Sequence, residues 1–313
     1  MIVDSCSGSM ALRDVNRLSG KIYYTIRNED DYSKGIYLTN PSISNDYIFF
    51  RRIVIDMYKS GVAIQDRHTG ILKIIDISVH FPILKYLEDL RIFDYNNSIW
   101  FIGFKRNDKD IWESYLCEFD SKCDYVNHIH HIFRSDNNIK NVVPLVDVST
   151  NRLYMLDICA ATVYEYSTMS KDVSIVNSID MSLKQNLFPK SNIYGSTQYL
   201  SLYNKDENND TNNDTNNKNL YGAIVHDLYM VYGERYYLHH WVEIDISQWK
   251  IVYMSKPFLL AFFGIEFASG ITWDNDSNMF KIYFGLKNAR SYYTTCTLQD
   301  LRQGGIDVGP NLD

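Results

Sequence analysis

The sequence contains few cysteines for its length, and their spacing suits neither a shared disulfide nor a metal. There are five cysteines among 313 residues. Cys117 and Cys123 are the closest two, yet they lie too far apart for the C-x-x-C spacing of redox and zinc motifs. We therefore expect buried free thiols in a reducing compartment rather than a disulfide framework.

Long apolar runs and clusters of basic residues are also missing. The most apolar stretch, 257–265, is too short to cross a bilayer, and residues 1–14 lack the basic and apolar regions of a signal peptide. The formal net charge is −7, whereas nucleic-acid-binding domains present a basic face. The sequence therefore predicts a cytoplasmic protein that binds neither nucleic acid nor membrane.

Aromatic and β-branched residues are abundant instead. Aromatics make up 14% of the chain, with 25 tyrosines, and isoleucine is frequent. These residues favour strands, and helical periodicity is sparse. The heavy use of Ile, Asn, Tyr and Lys is also typical of an AT-rich genome, such as that of a giant virus or a protist.

A repeated unit indicates how the strands are organised. The order strand, Asn- or Asp-containing turn, strand, short link and strand recurs roughly every fifty residues, as in a series of small antiparallel sheets. The chain length then predicts an all-β fold, a five-bladed β-propeller, formed by residues 21–303 as one domain. Residues 1–20 are expected to be an N-terminal arm and 304–313 a tail. A two-sheet sandwich or jelly roll is the alternative, although its strands are usually spaced more evenly.

One segment inside this domain cannot form part of a core. Residues 204–219 read NKDENNDTNNDTNNKN and contain no apolar side chain. Burial cannot offset the entropy of ordering such a segment, so we expect a disordered surface loop.

The segment 87–104 concentrates charged groups at the start of a predicted hairpin. Glu88, Asp89 and Arg91 precede an apolar run, a turn at 94–97 and a second apolar run. Two carboxylates beside a guanidinium suit a site that binds sugar or phosphate through charge-assisted hydrogen bonds. They equally suit a structural ion pair at a strand end.

The histidines allow two interpretations. In the run 127–131, His128 and His130 share a face of a strand, but no acidic or cysteine partner accompanies them, so no metal is expected. Strand alternation likewise predicts that one of His239 and His240 points inward and the other to solvent. Arg51 and Arg52 should face opposite sides for the same reason.

Eight short motifs follow one another along the chain. They are NPSI at 40–43 with arginines at 51 and 52, EDLRIF at 88–93, IKNVVPL at 139–145, YGSTQYL at 194–200, IVHDLYMVYGERYYLHHWVEID at 224–245, SKPF at 255–258, GIEFASGI at 264–271 and YFGLKN at 283–288. This series resembles the five-bladed propellers of the β-mannoside phosphorylase and hydrolase family, and above all their relatives found fused to, or beside, glycosyltransferases.

The resemblance implies a sugar-binding pocket at the propeller axis. The family uses the acidic residue of its E-D-P-R motif as general acid, and this position matches Asp89. The glutamate of the family's G-I-E motif matches Glu266. The substrate-binding positions that the resemblance implies are Arg51 (or Arg52), Arg91, Lys140, His226, Tyr237, His239 and Asn288. No metal or cofactor is implied.

Three positions depart from the family pattern. Leu90 replaces the motif proline, Val142 replaces a tryptophan and Asn288 replaces an aspartate. The loss of a tryptophan that could stack on a sugar and of a carboxylate places the identity of the sugar in question first, and turnover second.

Three functions follow from these residues. The first is an enzyme acting on glycosidic bonds as a hydrolase, phosphorylase or transferase, with Asp89 as acid; hydrolysis would need Glu266 as base, and phosphorolysis would need the cations to hold phosphate. The second is a propeller that binds glycan without turnover and assists a glycosyltransferase. The third is a scaffold for protein partners. The expected ligands are a sugar or glycan, with phosphate or a sugar nucleotide.

Overall fold

The computed structural model consists mainly of antiparallel sheets. The residues that it describes are 16–18, 22–24, 36–54, 59–75, 77, 81–85, 87–107, 109, 111–120, 122–123, 125–135, 141–189, 192–203, 218–231, 234–261, 264–286 and 290–304. The predicted disordered loop lies outside them except for its last two residues, and so does the predicted tail beyond residue 304.

The first three complete sheets each contain four strands in chain order. Two short strands, β1 (Asn16–Arg17) and β2 (Ile22–Tyr24), precede them. Blade 1 contains β3 (Ile36–Ile43), β4 (Tyr47–Val54), β5 (Lys59–Asp66) and β6 (Leu72–Ile75). Blade 2 contains β7 (Glu88–Tyr95), β8 (Ser98–Arg106), β9 (Trp112–Phe119) and β10 (Val126–Ser135). Blade 3 contains β11 (Val143–Asp147), β12 (Arg152–Asp157), β13 (Thr162–Tyr166) and β14 (Val173–Ser178).

The last two sheets include strands from distant parts of the chain. Blade 4 contains β15 (Ile193–Gly195), β16 (Leu200–Ser201), β17 (Leu220–Val231), β18 (Glu234–Asp245) and β19 (Lys250–Met254), joined by β20 (Phe258–Leu259) and, in parallel, by β1. Blade 5 contains β21 (Glu266–Asp274), β22 (Met279–Leu286) and β23 (Arg290–Cys296). Strand β2 pairs with β23 as the fourth strand of blade 5, so an N-terminal strand completes the C-terminal blade.

Among the described residues, three short helices lie between or after the sheets. A 3-10 helix spans Pro82–Leu84, α1 spans Ser182–Leu187, and α2 spans Leu298–Gln303. Helix α2 begins at a capping box formed by Thr297 and Asp300, which satisfies two backbone N–H groups.

The abundant aromatic residues form the packing between neighbouring blades. A separate core cluster lies at each blade interface, including the one between blades 5 and 1. Four interfaces contain an aromatic pair from the two blades: Phe49–Phe119, Trp100–Tyr166, Tyr154–Trp249 and Trp241–Phe280. At the fifth, Tyr283 packs in a cluster with Phe50. The closed ring confirms the predicted all-β, five-bladed propeller.

The inner strands are β3, β7, β11, β15–β16 and β21: β3 contacts β7 and β21, β7 contacts β11, and β11 contacts β16. Three of them, β3, β7 and β21, carry a register shift. The hairpin predicted at 87–104 is present as β7 and β8, with Asn96 and Asn97 in its turn at φ 52° and 59°. That left-handed pair is the arrangement a two-residue type I′ hairpin turn requires.

Candidate functional site

Asn40, in the middle of β3, meets Asp89, near the start of β7, between the inner strands of blades 1 and 2. Each residue lies where its strand bulges, with a left-handed backbone at φ 50° and 51° respectively. Asn and Asp adopt this conformation more readily than most residues. Asn40 Nδ2 donates to Asp89 Oδ1 over 3.1 Å. The Asp89 carboxylate, in a residue only 7% exposed, is therefore held in place by the neighbouring blade.

Arg91 joins three blades around this pair. It is fully buried, and its Nη1 donates to the backbone oxygen of Asp89. Its Nη2 donates to Asn141 Oδ1 over 3.0 Å and to Gly195 O over 3.4 Å. Burial lowers the pKa of Arg91 to about 10, while the charge of Asp89 acts in the opposite direction, so the guanidinium is charged at neutral pH. Arg91 therefore connects blades 2, 3 and 4, and we call Arg91 with these three hydrogen-bond partners the clamp.

A group of rings adjoins the clamp on the side of blades 4 and 5. The Arg91 guanidinium carbon lies 5.0 Å from the centre of the Phe267 ring. The buried ring of His226 lies 5.4 Å from Phe267, 4.9 Å from Tyr237 and 5.6 Å from Tyr194. Tyr194 and Tyr237 are half-buried, so each retains ring surface that a ligand can contact.

The ring of His226 is held in place by a neighbouring strand. Its Nδ1 lies 2.7 Å from the hydroxyl of Ser196, and both residues are buried. Ser196 follows β15, which pairs with β17 so that Tyr194 is opposite His226. The ring of His226 is therefore held by a hydrogen bond and by two flanking tyrosines.

Arg51 and Glu88 form an ion pair beside the carboxylate of Asp89. Arg51 Nη2 lies 3.1 Å from Glu88 Oε1, and the two side chains are 18% and 32% exposed. The acidic pair of the sequence motif thus divides: Glu88 binds a cation of blade 1, whereas Asp89 accepts the amide of Asn40. The ion pair between Asp89 and Arg91 that the motif indicated is replaced by a bond to the Asp89 backbone.

Glu266 and His239 lie together in the interior. Glu266 Oε1 accepts the N–H of Leu260 over 2.6 Å, and Oε2 accepts the N–H of Ala261 over 2.9 Å. His239 Nδ1 lies 3.7 Å from Glu266 Oε1, and both side chains are inaccessible to solvent. Both carboxylate oxygens thus fix the backbone that follows β20.

The remaining predicted site residues have different outcomes. Lys140 and Asn288 lie outside the described residues. His239 and His240 are both buried, so the prediction that one faces solvent is wrong; the core between blade 4 and its neighbours covers both faces of β18. His240 Nδ1 lies 3.0 Å from the carbonyl oxygen of Ser255.

Two departures from the family pattern have a packing explanation. Leu90 belongs to the core cluster between blades 1 and 2, and Val142 to the cluster between blades 2 and 3. Each side chain is at most 2% exposed. Apolar residues at these positions therefore stabilise blade interfaces and are not available to stack on a ligand.

Three polar residues of the site were not among those predicted: Asn40, Asn141 and Ser196. Asn40 and Asn141 have positive φ, 50° and 80°; Asn40 lies within β3 and Asn141 precedes β11. The asparagines of the two motifs NPSI and IKNVVPL were the available signal.

Comparison with solved structures shows that the chain shares its fold with known proteins. No protein-family model and no curated protein matches the sequence. A solved hypothetical protein from Leishmania major is similar over 94% of both chains, with 18% identity and a TM-score of 0.55. The GH43_1 enzyme from Xanthomonas citri complexed with xylotriose is similar over 89% of this chain and 94% of its own, with 9% identity and a TM-score of 0.46. RS223-Beta-xylosidase is similar over 89% of this chain and 95% of its own, with 10% identity and a TM-score of 0.48.

Proposed function

We propose that the chain is a carbohydrate-active propeller that takes a sugar residue at the axial end bearing Asp89. In this proposal Asp89 protonates a glycosidic oxygen as general acid. The single observation that carries the proposal is the position of the Asp89 carboxylate, which is only 7% exposed and lies on an inner strand next to the ring group of blades 4 and 5.

The surroundings of Asp89 match the chemistry of a sugar. A sugar presents hydroxyl groups to polar side chains and C–H faces to aromatic rings, and tyrosine supplies both kinds of contact. Arg91 contacts the ring of Phe267, which contacts the half-buried Tyr237. The half-buried Tyr194 contacts His226 and precedes Gly195, whose carbonyl oxygen accepts from Arg91. These contacts connect both tyrosines to Asp89. We propose that the tyrosines and His226 contact the sugar ring while Asp89 faces the bond that is broken.

The carboxylates favour transfer over hydrolysis. Inverting hydrolysis needs a second carboxylate that activates water. Glu266 is fully buried and accepts two backbone N–H groups, and Glu88 is paired with Arg51. We therefore propose that the nucleophile is phosphate, which is already an anion and so attacks without a carboxylate base.

The predicted cations contribute unequally to such a site. Arg91 and His239 are fully buried, which removes them from contact with phosphate. Arg51 keeps 18% of its side chain exposed beside Glu88. In this proposal Arg51 is the described cation that approaches an anionic substrate, and it exchanges Glu88 for that substrate.

Binding of glycan without turnover is the second candidate function. The amide of Asn40 donates to Asp89, and donation to a carboxylate stabilises its ionised form. An ionised carboxylate accepts sugar hydroxyls but carries no proton for a leaving oxygen. This contact favours a binding propeller, for which a glycosyltransferase is the proposed partner.

A paired binding and turnover experiment separates the two functions. Thermal unfolding is recorded with monosaccharides, phosphate and sugar nucleotides, because a ligand that binds the native state raises the melting temperature. Product release is measured in parallel for wild type, Asp89→Asn and the control Asp274→Asn. Asp274 ends β21 and pairs with Lys281 over 2.7 Å, so the control makes the same charge change away from the proposed site.

The enzyme proposal expects turnover in wild type and in Asp274→Asn, and a loss of at least about 100-fold in Asp89→Asn, as for a general acid. A sugar-dependent shift with no turnover in any variant supports the binding function. No shift with any ligand overturns both and leaves a scaffold for protein partners.

A further inference from the structure

The opposite end of the axis contains a cavity that the proposed sugar site does not use. Its volume is about 270 Å³, and residues of all five inner strands or the turns after them line it. Because one water molecule in the liquid occupies about 30 Å³, the cavity has room for roughly nine groups of that size. Apolar walls come from Phe93, Val146, Leu200 and Ile271.

A glutamine joins three blades at the wall of this cavity. Gln198 Nε2 donates to Ile271 O over 2.7 Å and to Ile43 O over 3.4 Å, so its amide spans blades 4, 5 and 1. The residues that line the cavity include neither Asp89 nor the half-buried tyrosines. A ligand there would therefore be distinct from a sugar held beside Asp89.

Asp94 is the charged residue among those that line the cavity. Its Oδ2 accepts the backbone N–H of Asn45 over 2.9 Å. Burial raises the pKa of Asp94, as does nearby Asp46, while Arg67 lowers it. Arg67 Nη1 donates to the carbonyl oxygens of Ser44 and Asn45.

Asp94 supplies the negative charge of the cavity wall. The hydroxyl of Tyr199 and Oε1 of Gln198, in side chains that are 4% and 7% exposed, are enclosed within the protein and are not open to a ligand. A carboxylate is the group that recognises a donor of positive charge.

We propose that this cavity binds a small organic ammonium ion with a short aliphatic body. The ammonium group pairs with Asp94, and the aliphatic body contacts the apolar walls. A single carboxylate makes a poor chelator, and the described part of the chain contains no group of three His, Cys, Asp or Glu residues placed to hold a metal. An organic cation therefore fits the cavity better than a divalent metal ion does.

Titration with n-butylammonium chloride tests this proposal, using sodium chloride at equal ionic strength and 1-butanol as the uncharged analogue. Binding is followed by calorimetry and by the melting temperature. We expect saturable binding of n-butylammonium to wild type, weakened at least about tenfold by Asp94→Asn, since a hydrogen bond to a charged group is lost. Asn keeps an oxygen for the N–H of Asn45, so the variant retains the turn.

Two variants make the result independent of folding defects. Asp46→Asn removes an equal charge from an exposed neighbouring position that does not line the cavity, and binding is expected to persist. Val148→Trp places a large ring at a cavity residue that is 65% exposed, and binding is expected to weaken. Equal binding of 1-butanol, equal binding by Asp94→Asn, no binding to wild type, or displacement of n-butylammonium by Ca²⁺ would each overturn the proposal.

Discussion

Asn40 of blade 1 donates its amide to Asp89 of blade 2 across 3.1 Å, and both residues have left-handed backbones. The contact joins two blades at the point where their inner strands bulge. Asn40 has the same shape as an aspartate but no charge. A substitution to aspartate therefore tests the effect of charge at this position.

The substitution Asn40→Asp should make stability depend on pH. Two carboxylates at this distance share a proton, which raises the apparent pKa of the pair in the folded state. The folded chain then binds a proton that the unfolded chain releases, so stability is fully present below about pH 4 and declines as pH rises through the raised pKa. Melting temperatures of variant and wild type should therefore diverge increasingly between about pH 5 and pH 8.

The control for this substitution is Asn97→Asp. Asn97 also has a positive φ, 59°, but lies exposed in the turn between β7 and β8. Its melting temperature should follow wild type over the same range of pH. A parallel decline in both variants would show that the effect does not come from Asp89.

Arg91→Lys should destabilise the propeller by about 2–3 kcal/mol, because an ammonium cannot reproduce the divergent hydrogen bonds of a guanidinium. The bonds at risk join Arg91 to the Asp89 backbone, Asn141 and Gly195. Urea unfolding measures the change. The exposed Arg106→Lys is the matched control, for which a change within about 0.5 kcal/mol is expected. Equal stability of Arg91→Lys and wild type would contradict the prediction that Arg91 holds the three blades together.

Glu243→Gln should loosen the attachment of α2 to blade 4. The buried carboxylate accepts Arg302 Nε over 2.7 Å and Nη2 over 3.2 Å, and Oε1 also accepts Trp241 Nε1 over 2.8 Å. Because the Arg302 side chain is 31% exposed, we expect a loss near the lower end for charged hydrogen bonds, about 1.5 kcal/mol.

A double-mutant cycle with Arg302→Met checks that interaction, since it isolates the term between the two residues. Glu165→Gln serves as the comparison, because Glu165 pairs with a mostly exposed Arg152 at 3.6 Å. Its effect should be close to zero. A coupling energy no larger for Glu243 than for Glu165 would contradict the prediction.

The buried histidines should make the fold sensitive to acid. Burial lowers the pKa of His239 to about 3 and that of His240 to about 4, from an ordinary value of 6.5. The unfolded chain takes up these protons first as pH falls, so the stabilisation is fully present above about pH 6.5 and is lost between there and about pH 4.

His240→Asn tests this origin of acid sensitivity. The asparagine amide can replace the Nδ1 contact to Ser255, but it does not titrate. We expect a lower stability at neutral pH and a flatter decline below about pH 6.5. His68→Asn, at a side chain 74% exposed, should keep the slope of wild type. An unchanged slope in His240→Asn would assign the acid sensitivity to carboxylates elsewhere.

Local patterns explain why the architecture was accessible from the sequence. The turn at Asn96 and Asn97 lies between two apolar runs, and such a pattern specifies a hairpin without information from the rest of the chain. The recurrence of that unit limits the number of blades. Alternation failed at His239 and His240 because a propeller blade packs against a neighbour on each face, so both sides of an inner or central strand are buried.

The candidate site was less accessible because its contacts are long in sequence. Asn40 and Asp89 are 49 residues apart, and Arg91 and Gly195 are 104 apart. The motif EDLR places two carboxylates and a guanidinium next to one another, yet Glu88 binds Arg51 and Asp89 binds Asn40. Strand bulges decide these partners, and bulges leave only a weak trace in composition.

The sequence by itself determined that this chain forms repeated antiparallel sheets with aromatic cores, because strand propensity, turn chemistry and periodicity are local properties. Only the tertiary structure decided which polar groups are available for chemistry. Closing the ring of blades removes Arg91, His239 and Glu266 from solvent completely, whereas Asp89 keeps 7% of its surface and Tyr194 and Tyr237 are half-buried. Burial and hydrogen-bond partners across blades depend on distances that no local pattern encodes.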